Sequence, residues 1–275
     1  MLNALCKGLL AGSISLMLFS GCSGDSKAAK EMVGQAQSLS DAGDYKAALA
    51  MLDSVDTRYA AEIDVRREAM NLRPHIMELM TLKELSAADS LIAQLTIEAD
   101  AVKDVMAFVE DSFEGYYTTV SLKGRIPADK PGLYARMSVD GVFNVVSSCP
   151  KGTGSTAVSL RSGQDEAVSG RVAHDGERND RSRGVEIINF MPAECDTLGV
   201  FAGRHGGDEI DVTFLGDKNY RMTLPKDQAE ALGNVYAASR IVGKLKLAQL
   251  EKVRLERQLD VARSQMARTY QEKKE

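Results

Sequence analysis

The sequence predicts an α+β protein with a helical N-terminal part, an antiparallel β-sandwich or small barrel, and a long C-terminal helix. Three observations carry this. Between Asp44 and Glu114 there is no glycine and one proline, Pro74, while apolar residues recur every three to four positions. From Tyr116 to Leu224 that period gives way to short β-prone runs parted by turn residues. After Pro225 the chain has no further proline, and its last glycine is Gly243.

The first helices follow from spacing. Met32, Ala36 and Leu39 form one apolar stripe, and Tyr45, Ala48, Leu52 and Val55 form a second. Between them Gly43 suits a helix C-terminus and Asp44 the next N-cap. Two amphipathic helices joined by a tight turn make a helical hairpin. Ala36, Leu39, Gly43, Tyr45, Ala48 and Leu52 resemble the small, large and turn positions of a tetratricopeptide repeat. A fainter echo runs through Leu85, Ala88, Ile92 and Leu95, offset by 40 residues from the first stripe and without the Gly-Asp turn. Ala60 stands where that family has proline. A stable array needs about three repeats, so a plain bundle of about four or five helices stays open beside the repeat reading.

In the β region, Tyr117 to Ile126 is one run. Leu133 to Val139 and Val142 to Ser148 flank Asp140-Gly141, a hairpin turn signal. Thr156 to Arg161 and Ala167 to Ala173 flank Gly163. Val185 to Phe190 is a further run. Leu198 to Arg204 and Glu209 to Leu215 flank His205-Gly206-Gly207-Asp208, and Tyr220 to Leu224 follows Gly216-Asp217-Lys218-Asn219. About eight or nine strands at hairpin spacing close most naturally as a sandwich or barrel. Asp175 to Arg183, highly charged, reads as a loop.

Pro225 occupies a favoured first helical position, with Asp227 in the first turn. Ile241, Leu245, Ala248, Lys252, Leu255, Leu259, Ala262, Met266 and Thr269 then alternate by four and three, a heptad seam of coiled-coil type. Such a helix is stabilised mainly by packing. The seam therefore needs the helical segment, a second copy of the chain or another protein, and Ile241, Leu245, Leu255, Leu259 and Met266 are its candidate interaction residues.

At the N-terminus Lys7 precedes an apolar run from Gly8 to Phe19, about the length of a signal-peptide core and short of the ~20 residues that span a bilayer. Phe19-Ser20-Gly21-Cys22 closes it and resembles the lipobox of bacterial lipoproteins, with Phe in place of the usual Leu. The resemblance implies cleavage before Cys22, palmitate-type acylation of Cys22, and a membrane partner reached through that lipid anchor. Ser23 in place of Asp implies the cell outer membrane. Asp25 followed by Lys27 is a poor match to an acidic surface-export signal, which favours the periplasmic face over the cell surface. The expected organisation is a signal peptide over 1–21, a lipidated tether over 22–27, helices over 28–114, the β domain over 115–225 and the terminal helix over 226–275.

Composition narrows the function. There is no Trp and aromatics are 5% of the 275 residues, against an aromatic-lined sugar platform; a net charge of −5 gives no footprint for nucleic acid. Cys149 and Cys195 are an even pair in an oxidising compartment. A disulfide between them would contribute about 4 kcal/mol in the chain-entropy model, and two buried reduced thiols are the alternative.

Candidate chemistry is sparse. His174 and His205 lie in predicted loops beside Asp175 and Asp208, without metal-ligand spacing, and His75 beside Pro74 reads as packing or surface. Gly152-Thr153-Gly154-Ser155-Thr156-Ala157 fits a dinucleotide-loop pattern but runs into a strand, where that loop must open a helix. Arg178, Arg181 and Arg183 alternate with acids as on a solvated surface. No catalytic residue, metal ligand or cofactor is expected.

Two longer stretches, Leu122-Lys123-Gly124-Arg125 through Val139-Asp140-Gly141-Val142-Phe143, and Ile210-Asp211-Val212-Thr213-Phe214-Leu215-Gly216 into the terminal helix, resemble uncharacterised lipoproteins of Bacteroidota. That group implies no activity. The expectation is a lipid-anchored, non-enzymatic envelope scaffold that meets an unknown protein or itself through the terminal helix. The alternative is a ligand binder using the β-domain loops.

Overall fold

The computed structural model describes residues 22–110, 114–173, 177–181 and 184–272; the expected signal segment and the side chain of Cys22 lie outside the described residues. The protein is α+β, with five α-helices and two antiparallel sheets among the described residues, and none of those helices is long and apolar enough to cross a membrane. It forms two compact units, Met1–Glu84 with Glu256–Glu275, and Leu85–Leu255. The divisions fall inside two long helices, α3 (Ile63–Asp104) and α5 (Lys226–Glu272).

In the first unit the hairpin forms where the stripes place it. Helix α1 (Cys22–Asp41) turns at Gly43, whose φ of 79° suits glycine, into α2 (Tyr45–Arg58). The Asp44 carboxylate caps α2 by accepting the Ala47 N–H at 3.2 Å. Ala29, Val33 and Ala36 of α1 bury against Ala48, Leu52 and Val55 of α2 and Val65, Ala69 and Ile76 of α3. The small residues at these positions let the backbones approach closely. Arg73 joins α3 to Asp53 (2.7 Å) and Asp56 (3.2 Å) of α2, and Arg66 reaches Asp56 at 3.3 Å. The end of α5 returns antiparallel to α3: the Gln258 amide donates to the Thr81 hydroxyl at 3.1 Å, and Arg263 meets Glu78 at 2.8 Å. The second repeat echo, Leu85 to Leu95, lies within the unbroken α3, so no second hairpin exists there; with good helix formers on both sides and no glycine, nothing in that stretch makes a turn.

The second unit holds strands β1 (Met106–Val109), β2 (Tyr116–Thr119), β3 (Gly132–Ser138), β4 (Phe143–Pro150), β5 (Ala157–Ser162), β6 (Asp165–Val168), β7 (Asn179–Asp180), β8 (Val185–Phe190), β9 (Asp211–Leu215) and β10 (Tyr220–Thr223). One sheet has the order β1-β2-β3-β4-β8-β7, the other β10-β9-β5-β6, and every pairing is antiparallel. The hairpins at Asp140-Gly141, Gly163 and Gly216 to Asn219 form as their turn residues dictate.

Several elements differ from expectation. The expected tether over 22–27 is already the first turns of α1. The run Tyr117 to Ile126 is a strand only as far as Thr119 and then forms a 3-10 turn over Val120–Leu122. The expected loop Asp175 to Arg183 contains the short strand β7, which pairs with β8. The run Leu198 to Arg204 is not a strand: it belongs to helix α4 (Pro192–Arg204), which buries Cys195, Leu198 and Ala202 at helical spacing. Pro192 at its start and Glu194, whose carboxylate accepts the Met191 N–H at 2.9 Å, are the local signals for that helix. And α3 ends at Asp104, so Met106–Val109, read as helical, pairs with β2 as a strand. Its β-prone Phe and Val pack on a sheet edge; Phe108 meets Tyr117 at 5.0 Å between ring centres.

The two sheets, α4 and the first half of α5 share one core containing Met137, Val145, Leu160, Phe190, Leu198, Phe214, Leu232 and Val235. Gln228 of α5, buried, accepts the Leu133 N–H at 2.9 Å and so ties the helix to the β3 backbone.

Candidate functional site

Residues singled out for chemistry in the sequence are engaged in structure. The glycine-bearing loop after β4 cradles an anion, and the anion is the chain's own. Glu186 of β8 is 4% exposed. One carboxylate oxygen accepts the N–H groups of Gly152 (2.9 Å) and Gly154 (3.1 Å), and the other accepts that of Ser155 (2.9 Å). Gly152 and Gly154 have φ of 92° and 65°, which turns their N–H groups to one side as a nest. Burial raises the Glu186 pKa, but the N–H donors of Ser155, Gly154 and Gly152, with the Arg181 charge, outweigh it and hold the carboxyl below its ordinary range. The feature that could have marked an internal ligand for this loop is the carboxylate at an inward position of an alternating strand, Glu186-x-Ile188-x-Phe190.

Cys149 and Cys195 are both buried free thiols, and the disulfide is not formed. The Cys195 sulfur lies 3.4 Å from the Phe190 carbonyl and beside the Val145 backbone. Cys149 is four residues further along β4, roughly 13 Å at the rise of a strand, and a bridge needs Cα atoms within ~7 Å. Burial pushes the Cys149 thiol up to about 11 and the Cys195 thiol up to about 12. Both are expected to resist iodoacetamide at mildly alkaline pH in the folded protein and to react on unfolding. Rapid labelling of the native chain, read by mass spectrometry, would contradict this.

His205, at the end of α4, sits between two acids, with Nε2 3.2 Å from Asp165 and Nδ1 3.0 Å from Asp208, and stacks on Phe201 at 4.5 Å. His174 and Asp175 lie outside the described residues, and among those described no cluster of His, Cys, Asp and Glu has the makings of a metal site. His75 is exposed on α3. Arg178 is paired with Glu194 at 2.9 Å, Arg181 acts on Glu186, and Arg183 lies outside the described residues.

The candidate interaction residues of the terminal helix are consumed within the chain. Ile241 and Leu245 pack on the second unit's core; Leu255 and Leu259 are 2% and 8% exposed, and Met266 is half-buried. In the second unit Lys252 bridges to Asp89 of α3 at 2.7 Å. What α5 exposes is a neighbouring stripe, Leu247 (67%), Leu250 (55%) and Val253 (43%).

That stripe runs out of a groove of about 400 Å³ between the β3–β4 hairpin, α4 and α5. Its apolar lining is Val142, Phe143, Pro192, Gly243 and Leu247, and its charged lining includes Asp196 beside Arg240 and Lys244. Its walls stand because the hairpin tip rests on the helix backbone. Gly141 has φ 83°, and a Cβ there would lie 2.3 Å from the Gly243 nitrogen. Ser138 closes the turn, its hydroxyl accepting the Val142 N–H at 3.1 Å, and Lys246 of α5 holds Asp140 at 3.0 Å. Phe143 meets Tyr236 edge-on at 5.3 Å. On the rim, Arg240 and Lys244 are exposed and have no carboxylate partner among the described residues. Arg240 and Lys244 are one helical turn apart and so present two charges on one side. The groove escaped the sequence reading; the isolated Gly243 in a helical pattern was the available hint of a close backbone approach.

No protein-family model matches the chain, and no curated protein or solved structure matches it. What the groove takes must be read from its own residues.

Proposed function

We propose that this chain is a lipid-anchored, non-enzymatic protein of the cell envelope that works by docking a partner protein. Cys22 carries the acyl chains, and the outer membrane, periplasmic face, is the compartment. The observation that carries the docking reading is the groove of the second unit: apolar lining continued by Leu247 and Leu250, with Arg240 and Lys244 exposed beside it and outnumbering the one further acid of the lining, Asp196. An apolar trough with cations along one side fits an acidic amphipathic segment, which would bury its apolar face and set its carboxylates against the two cations. Also in keeping with a non-enzymatic role, Glu186, His205 and both cysteines are committed to internal contacts.

Two measurements test this. Intact-mass analysis of the native protein is expected to show a chain beginning at an acylated Cys22; an uncut, unmodified N-terminus rejects the anchor. A photo-crosslinking residue at Leu247 in cells is expected to trap a discrete adduct that the Arg240→Glu/Lys244→Glu variant loses. An adduct unaffected by both charge reversals rejects the groove as the docking site.

A further inference from the structure

The first unit carries a second groove of different chemistry. It is about 960 Å³, lies between the start of α3 and the end of α5, and its lining includes Arg66, Arg67, Arg73 and Arg268 and no carboxylate. Arg66 and Arg73 are held from behind by Asp53 and Asp56 of α2. Arg67 makes only a solvent-exposed pair with Asp64, of little energetic weight, and Arg268 has no ion-pair partner among the described residues. Ile63 and Met70 stand among these arginines and are 66% and 61% exposed. Positions 63, 66, 67, 70, 73 and 74 share one face of α3, which therefore alternates exposed apolar residues with guanidinium groups. That is the pattern of a helix face lying in a membrane interface, where apolar side chains enter and cations meet headgroups.

Its place in the unit agrees. Helices α1 and α2 are antiparallel, and so are α2 and α3, so α1 and α3 start at the same end of the unit. The return of α5 brings Arg268 to that end as well. Helix α1 has 20 residues and α2 has 14, so Cys22 leads the level of Ile63 by roughly 9 Å at 1.5 Å per residue.

We infer that the Arg67–Met70–Arg268 groove is a docking surface for anionic phospholipid headgroups, which seats the first unit on the membrane. The orientation rests on the anchor reading of Cys22, but the binding chemistry does not, and the two are tested separately. A chain beginning at Ser23 lacks the acylation site and retains every member of both hydrophobic cores. In co-sedimentation it is expected to bind phosphatidylcholine vesicles that contain phosphatidylglycerol, not vesicles of phosphatidylcholine alone, and to release as salt is raised. At about fivefold in affinity per cation near an anionic surface, Arg67→Glu/Arg268→Glu is expected to weaken binding at least about twentyfold. Both residues are exposed, so the variant should keep the parent's circular dichroism and melting midpoint, and the Met70→Ser variant should weaken binding independently. Equal binding to both vesicle types, undiminished binding of the double variant, or an equal loss in Arg240→Glu/Lys244→Glu would overturn the inference. An unmodified native Cys22 would remove the anchor and leave the vesicle result standing.

Discussion

Replacing Glu186 by alanine is expected to destabilise the second unit by about 3 kcal/mol or more, at roughly 1 kcal/mol or above for each of three backbone donors left without an acceptor. The N–H groups of Gly152, Gly154 and Ser155 converge on this one carboxylate because two of those residues are left-handed. Glu186→Gln should fall between, since the amide keeps an oxygen but loses the charge. The pH dependence follows from the direction of the shift. The folded pKa lies below the ordinary 4.5. The carboxylate therefore stabilises the fold at all pH values above 4.5, and that contribution is lost as pH falls through the lowered folded value. The melting midpoint of the parent should drop along this acid limb, and Glu186→Gln should lack that part of the drop. Coincident acid limbs for the two proteins would show that the nest does not hold an ionised carboxylate.

Gly141→Ala is the second large effect, expected to cost about 3 kcal/mol and to detach the hairpin from α5. The left-handed backbone alone costs a non-glycine residue ~1–2 kcal/mol. The rest comes from contact: a Cβ at Gly141 would lie 2.3 Å from the Gly243 nitrogen and 2.7 Å from the Val242 carbonyl carbon, backbone atoms that cannot swing aside. Gly163 supplies the control. It is also left-handed, φ 58°, and also turns a hairpin, but a Cβ there meets nothing within 4 Å. Gly163→Ala should therefore cost only the conformational part. Equal losses of melting midpoint in the two variants would mean that the tip does not bear on the helix. Because the tip forms one wall of the groove, Gly141→Ala should also abolish the crosslink from Leu247 while Gly163→Ala leaves it.

Local signals suffice where they act over a few residues. Gly43-Asp44 makes the α1–α2 turn, Asp140-Gly141 the β3–β4 turn, and the alternating run Val185 to Phe190 is β8 end to end. The run Leu198 to Arg204 is ambiguous on its own, because Leu, Val and Phe in a short run suit a strand as well as a buried helix. Helix α4 is decided by its cap at Met191 to Glu194 and by a core that receives Cys195, Leu198 and Ala202 along one face. The heptad seam of α5 was legible as a surface that must be covered. Its cover is internal, and the surface left open is the adjacent Leu247, Leu250 and Val253.

The fold class and most elements follow from residues close together in the chain, because helical period, strand alternation and turn chemistry are properties of neighbours. Packing in three dimensions settles which groups meet across long separations. It sets Glu186 against a loop more than thirty residues away, Gly141 against Gly243, and Arg67 on the same groove as Arg268. Those contacts have no periodic trace, since one buried carboxylate or one close backbone approach is a matter of packing geometry.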